Sequence, residues 1–259
     1  MLNKKLENIK KSGKVVKEIL QKLEKKVKIG VTGKDLEKIA KKIMDENNVF
    51  SSSFNYQGFP GYICVSISKT NQGKSELTHG IPTNIPFEKG DLVSIDVSCF
   101  CKDENETPYH ADAAITVIVE ESDNQIKNNL INTTRNCLYY VISQIRPNQT
   151  DTKDIGTMIQ NYVKSRGFYT IKEYGGHHIG NKLHEKPFIP NHRNVKKGEI
   201  IKKGAFICIE PLVQIGDDKI SLNAENDAKW EVVVSTNNFL NAHFEHTLYI
   251  DEKEAIILT

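Results

Sequence analysis

Apolar residues recur at helical spacing along the first part of the chain. Ile9, Val16, Ile19, Leu20, Leu23 and Val27 predict an amphipathic helix from about Asn3 to Lys26, with Gly30 ending it. Thr32-Gly33-Lys34-Asp35 reads as a capping box, and Leu36, Ile39, Ala40, Ile43 and Met44 mark a second helix. The pattern then changes to short β-branched runs: a strand at Ile63–Ser68, a Lys-Gly turn leading into the apolar strand of Lys89–Asp96, and a return at Tyr109–Val119 after a polar turn. The same plan follows again. Ser122-Asp123-Asn124-Gln125 caps a helix with Ile126, Leu130, Leu138, Val141, Ile142 and Ile145 inward, and Pro147 stops it. Thr152–Arg166 is a shorter helix closed by Gly167, and Lys153-Asp154-Ile155 matches Lys34-Asp35-Leu36. Lys203–Glu210 (K-G-A-F-I-C-I-E) echoes Lys89–Asp96 (K-G-D-L-V-S-I-D), and short strands lead on to Asn241–Ile250. The expectation is an α+β fold: one domain, 1–259, built as a duplication of about 1–120 and 121–259.

Each echoing strand ends on a carboxylate, Asp96 in one copy and Glu210 in the other. Burying an unpaired charge costs far more than burying a neutral polar group, so two carboxylates at equivalent positions need a common partner. Asp112 and Glu245 fall on the strands expected to run antiparallel to these, where facing side chains lie about 5 Å apart. Four converging carboxylates repel and raise one another's pKa values unless a cation holds them. The arrangement predicts a metal.

Composition narrows the setting. With 259 residues, 38% hydrophobic and 26% charged, the chain is an ordinary globular protein able to bury one large core or two small ones. A formal charge of +2 gives no argument for nucleic acid as a partner. Five scattered cysteines, with Cys99-x-Cys101 lacking a second pair, read as small buried hydrophobes rather than a zinc site. They fit a reducing compartment. No apolar run could serve as a signal or cross a membrane, so a cytoplasmic location is expected.

Histidines supply the remaining chemistry. His79-Gly80-Ile81-Pro82 follows a polar loop, Lys69–Thr78; taken alone, His79 is best read as a histidine capping a turn. Tyr174–Gly180 and Leu183–Pro187 place three of the eight histidines (His177, His178 and His184) within eight positions. The glycines among them allow a close backbone approach, and Ile179 and Leu183 argue against full exposure.

Taken together, these residues resemble the type I methionine aminopeptidases of the pita-bread metallopeptidase family, from about Ile9 to Thr259. The motifs are Gly58-Phe59-Pro60, His79-Gly80-Ile81-Pro82, Gly90–Asp96, Asp112 in its strand, Gly176-His177-x-Ile179-Gly180, His184-Glu185-x-Pro187, Ile209-Glu210-Pro211 and Phe244-Glu245-His246-Thr247. The resemblance implies the pita-bread fold and five metal ligands, Asp96, Asp112, His177, Glu210 and Glu245. Such an oxygen-rich set suits Mn, Fe, Co or Zn, and five ligands fit two divalent ions better than one. It implies attack by a metal-bridging hydroxide with Glu210 as proton acceptor, His79 and His184 as hydrogen-bond donors to the substrate, and a methionine pocket of Tyr56, Phe59, Cys64, Leu183 and Trp230. The implied substrate is the N-terminal segment of a nascent polypeptide whose second residue is small. The ribosome is a further implied partner, and a monomer is expected. The sequence departs from the pattern in four places. His178 stands where the family has glycine and is expected to crowd the site entrance. The Lys69–Thr78 loop is longer, and Ala113-Ala114-Ile115 is less polar. Ser68 replaces an asparagine that helps hold a monovalent cation. The rival readings are a proline-specific aminopeptidase, disfavoured because the chain shows no extra N-terminal domain, and a non-catalytic binding module, disfavoured because all five ligands are kept.

Overall fold

A computed structural model of the chain describes residues 2–69, 74–120, 123–193, 198–224 and 226–259. Ser122 and positions 70–73 of the long polar loop lie outside the described residues. The front part contains α1 (Leu2–Glu24), α2 (Gly33–Glu46), β1 (Phe50–Ser51), β2 (Cys64–Ser68), β3 (Glu76–Thr78), β4 (Leu92–Lys102) and β5 (Pro108–Ile118). The rear part contains α3 (Gln125–Gln144), α4 (Thr152–Lys164), β6 (Tyr169–Thr170), β7 (Gly175–His178), β8 (Glu185–Pro190) and β9 (Phe206–Ile209). The chain then runs through β10 (Leu212–Gln214), β11 (Ile220–Asn223), β12 (Val232–Ser235), β13 (Asn241–His243), β14 (Glu245–Ile250) and β15 (Ala255–Ile257).

The helices begin where their caps predict. Thr32 with Asp35 and Asp151 with Asp154 form reciprocal capping boxes at α2 and α4, so the matched Lys-Asp-apolar triplets occupy the same helical positions. Asn124 caps α3 by accepting from the Lys127 amide. Gly90 and Gly204, in the two Lys-Gly turns, share a left-handed conformation, with φ of 86° and 84°. Three expectations need correction. α1 ends at Glu24, because the chain turns tightly through Lys26 and Val27 onto the Leu23 carbonyl; Gly30 belongs to the connection beyond. Ile126 is 60% exposed rather than inward, since Lys127 takes the buried position beside it. The Asn241–Ile250 run is two strands, β13 and β14, parted at Phe244.

Nine strands form the main antiparallel sheet, ordered β1-β4-β5-β14-β9-β7-β8, with β2 also on β4 and β15 on β14. About the β5–β14 contact, β2-β4-β5 mirrors β7-β9-β14. One core cluster packs α1 and α2 with Val93, Ile95, Val97 and Cys99 of β4, and a second packs α3 and α4 with Ile207, Ile209, Leu248 and Ile250. Along β4 the alternate positions are Ser94, Asp96 and Ser98, so the strand's period of two separates the helix-packed face from the polar one. All five cysteines are buried and unpaired. Among the described residues no helix is long and apolar enough to cross a membrane.

Candidate metal centre and substrate cavity

Sheet register brings the carboxylates together. Ala114 pairs with Asp96 on one side and with Glu245 on the other, and paired residues share a face. Asp112, two positions from Ala114, lies on that face too. Asp112 itself pairs with Ser98, so Asp96 and Asp112 meet diagonally rather than facing each other as expected. Asp96 is also not a strand end, because the β4–β5 ladder continues past it to Lys102. Glu210 follows Ile209, which pairs with His246, and so stands across from Glu245. Asn191 donates to the Glu210 carbonyl at 2.8 Å, and Thr247 both donates to the Asp112 carbonyl and accepts from its amide.

One oxygen each from Asp96, Asp112 and Glu245 lies within 4.8 Å of the others. His177 Nε2 is 3.8 Å from Glu210 Oε1. Its Nδ1 lies 3.0 Å from the His178 carbonyl and donates to it, which leaves Nε2 as a lone-pair donor. Gly176 permits this approach: a Cβ there would sit 2.1 Å from the Cys208 carbonyl. Burial, and then the facing carboxylates, push Asp112 and Glu245 well above the usual carboxylate range. Burial also raises Asp96. At Glu210 burial pushes the same way, but His243 and His177 outweigh it and hold the group below its ordinary value. Asp112 Oδ1 and Glu245 Oε1 are buried without a hydrogen-bond partner. Native interiors seldom leave carboxylate oxygens so, and a divalent cation satisfies all of them at once. The donor set fits the metal that the sequence calls for.

An apolar cavity adjoins this cluster. Phe59, Cys64 and Leu183 are buried in its wall, with Tyr56 and Trp230 half-buried, and Asp96, Asp112, His79 and His184 stand where it meets the carboxylates. Trp230 packs edge-on against Phe59, with ring centres 5.1 Å apart, and its Nε1 donates to the His79 carbonyl. His79 itself has φ of 61°, a left-handed conformation rare for a residue with a Cβ. A second lobe, on the far side of the two histidines, is bordered by Tyr174, Phe188, His177 and Glu210. Tyr56 Oη lies 2.8 Å from His184 Nδ1, and the His184 ring stands edge-on to His177. Partial burial, and then the neighbouring histidines, hold His184 down at about 4. Every residue expected at the site is therefore assembled there. His178 borders neither lobe, so it does not crowd the entrance. The Ser68 hydroxyl is engaged by Ser75 and by the Asn241 amide.

One residue escaped the sequence reading. His243 is 2% exposed and points Nε2 at Glu210 Oε2, 3.6 Å away, and at Glu245 Oε2, 3.8 Å away. The signal was its place two residues before Glu245, which puts both on one face of an extended chain.

Comparison with known proteins agrees with this geometry. The family model described as metallopeptidase family M24 matches residues 7–252. A methionine aminopeptidase of Mycoplasma capricolum is 37% identical, over 98% of this chain and 95% of its own length. Methionine aminopeptidase 1 of Bacillus subtilis is 34% identical, over 97% and 94%. The crystal structure of a methionine aminopeptidase from Thermotoga maritima superposes with a TM-score of 0.88 at 34% identity, covering 99% of this chain and 96% of the other. The prolidase of Pyrococcus furiosus shares the fold alone, at 18% identity and a TM-score of 0.71. Curved antiparallel sheet and flanking helices are those of the pita-bread fold, and the chain belongs to metallopeptidase family M24, whose members use divalent metal cofactors.

Proposed function

We propose that the chain removes the N-terminal methionine from polypeptides whose second residue is small, acting as a monomer in the cytoplasm on newly made proteins. The observation that carries this reading is the junction of a small apolar cavity with the carboxylate cluster. The cavity holds about 170 Å³. An apolar cavity of about 150 Å³ accepts a molecule the size of benzene, so the space suits one side chain of methionine's bulk. Full-length similarity to chains named methionine aminopeptidase supports the same substrate.

In this reading Asp96, Asp112, His177, Glu210 and Glu245 hold two divalent ions, from among Co, Mn, Fe and Zn. When bound, the ions polarise the scissile carbonyl and lower the pKa of water. The rest is the work of side chains. Phe59, Cys64, Leu183, Tyr56 and Trp230 receive the methionine side chain. Glu210 accepts the proton released from the attacking water. With Tyr56 donating to His184 Nδ1, His184 keeps its proton on Nε2 and offers it to the substrate carbonyl. His79 is held neutral by burial and donates from the opposite wall. We also infer a single domain of two pseudo-repeats, about 1–120 and 121–259. The mirrored strand order, the paired capping boxes and the two left-handed Lys-Gly turns support it.

A panel of peptides tests the function. Met-Gly, Met-Ala and Met-Ser peptides are expected to release methionine, while Met-Lys and Leu-Ala peptides stay intact. Release of residues that precede proline, in preference to methionine, would overturn the assignment.

A further inference from the structure

We propose that His243 Nε2 is a sixth ligand of the metal centre, joining Glu210 and Glu245; the inference rests on the reading of this cluster as a metal site. The backbone of His243 is fixed from two directions, since its amide donates to Thr116 Oγ1 at 2.8 Å and its carbonyl accepts from the same hydroxyl at 2.9 Å. Ser94 Oγ completes the relay, 2.8 Å from Thr116 Oγ1. The sheet thus decides where this ring stands. Both ring nitrogens are buried and neither has a hydrogen-bond partner. An imidazole always carries at least one donor, and leaving it orphaned in the interior is costly.

The distances separate a ligand from a salt bridge. At 3.6 and 3.8 Å from two carboxylate oxygens, Nε2 is too far for a hydrogen bond to either. An imidazolium paired with a carboxylate would close to about 2.7–2.9 Å. Ligands held about 2.0–2.2 Å from one ion instead stand about 3–4 Å from one another. His177 Nε2, at 3.8 Å from the other oxygen of Glu210, has the same spacing. His177 and His243 therefore flank the Glu210 carboxylate from its two oxygens, and one nitrogen, Nε2 of His243, serves Glu210 and Glu245 together. A second imidazole makes this side of the centre richer in nitrogen and biases it toward Zn, Fe or Co over Mn.

The full chain, stripped of metal and reloaded with Co(II), provides the test, with imidazole donors counted by X-ray absorption and affinity measured by calorimetry. Two imidazoles per chain are expected in the native sequence, and one in each of His243→Gln and His177→Ala. Affinity is expected to fall by at least about 10–100-fold in His243→Gln, the loss seen when even an indirect partner of a metal is removed. One imidazole in the native sequence, or an unchanged count in His243→Gln, overturns the proposal while leaving the metal site standing. A native count of one overturns the proposal even if the variant does not fold. Co(II) binding that is absent from the native chain, or undiminished in Asp112→Asn, would instead sink the metal site and this inference with it.

Discussion

The two hairpins that meet at the centre of the sheet deliver carboxylates alike but are built differently. In front, β4 and β5 are eleven residues each and pair along their whole length across the short turn at Asp103–Thr107. Behind, β9 and β14 are four and six residues, and the chain leaves the sheet between them through β10 to β13. That excursion brings Trp230 to the cavity wall and His243 to the carboxylates, and its β12 docks on β3 of the front part. The front hairpin contributes carboxylates only. His177 and Glu210 come from the rear sheet, His184 and Trp230 from rear loops, and His79 from a front loop locked by Trp230. Register places the acids, whereas segments that leave the regular strands place most of the nitrogen donors and the aromatic wall.

The strongest way to break this comparison is to remove one acid from each hairpin. Asp112→Asn and Glu245→Gln should lose metal together and lower kcat/KM by more than about 10³-fold, beyond the value of a single oxyanion donor. Metal analysis beside kinetics checks it. If one variant keeps both metal and turnover, the hairpins are not equivalent contributors. His79→Ala and His184→Ala test the loops instead. Each should keep its metal while kcat falls by about 10²–10³-fold, the value of one hydrogen-bond donor to developing charge. Unchanged turnover in both would return His79 to the role of a turn-capping residue.

What was legible in the sequence follows the same division. The cap at Thr32, the helix from Thr152, the Lys-Gly turns and the apolar strands are local patterns, and each formed where its residues predict. The convergence of Asp96, Asp112, Glu210 and Glu245 was legible because a repeated strand ending in an acid is a physical oddity. The diagonal of Asp96 and Asp112 was not, since a two-residue change of register keeps both acids on one face and is invisible without knowing where the turn closes. His243 was missed for a related reason. A lone histidine is no anomaly in a short strand, and only the folding of β13 against Thr116 makes it a buried, unpaired ring. The aromatic wall of the cavity was expected only from the family resemblance, because Trp230 and Phe59 meet from positions far apart in the chain.

A third prediction sharpens the contact between the front part and the excursion. Burial pushes Glu76, in β3 beside β12, from 4.5 up to about 7, while the Ile67 amide donates to its carboxylate. With the folded value above the unfolded one, the folded chain binds the proton more tightly. The contribution of Glu76 is therefore fully present below about pH 4.5 and lost as pH rises through about 7. Glu76→Gln keeps an acceptor for Ile67 without the charge. It should leave stability unchanged at pH 4.5 and raise it at pH 8 by at most about 3 kcal/mol, at about 1.36 kcal/mol per pKa unit. Denaturant titrations at the two pH values check it. A destabilised variant at pH 8 would mean that the ionised carboxylate holds β3 to its neighbours.

The smallest effect is expected at His178, which adjoins the centre in sequence and turns away from it in space. The ladder to β8 shifts register between His177 and His178, and His178 pairs with Ile207 on β9. What His177 requires of its neighbour is the carbonyl that accepts from Nδ1, and glycine supplies that equally. The His178 ring borders neither lobe of the cavity, and its Nε2 is buried without a partner, so no contact with substrate or metal is lost with it. His178→Gly should therefore keep kcat/KM within about tenfold of the native value, a barrier change below about 1.4 kcal/mol. Stability should fall by about 0.5–1 kcal/mol, the cost of glycine in a strand, less whatever the unpaired nitrogen was costing. Measuring metal content and kcat/KM beside His177→Ala separates the two histidines. Metal lost from His178→Gly and retained by His177→Ala would assign the ligand to the other member of the pair, and with it the face of β7 that looks onto the carboxylates.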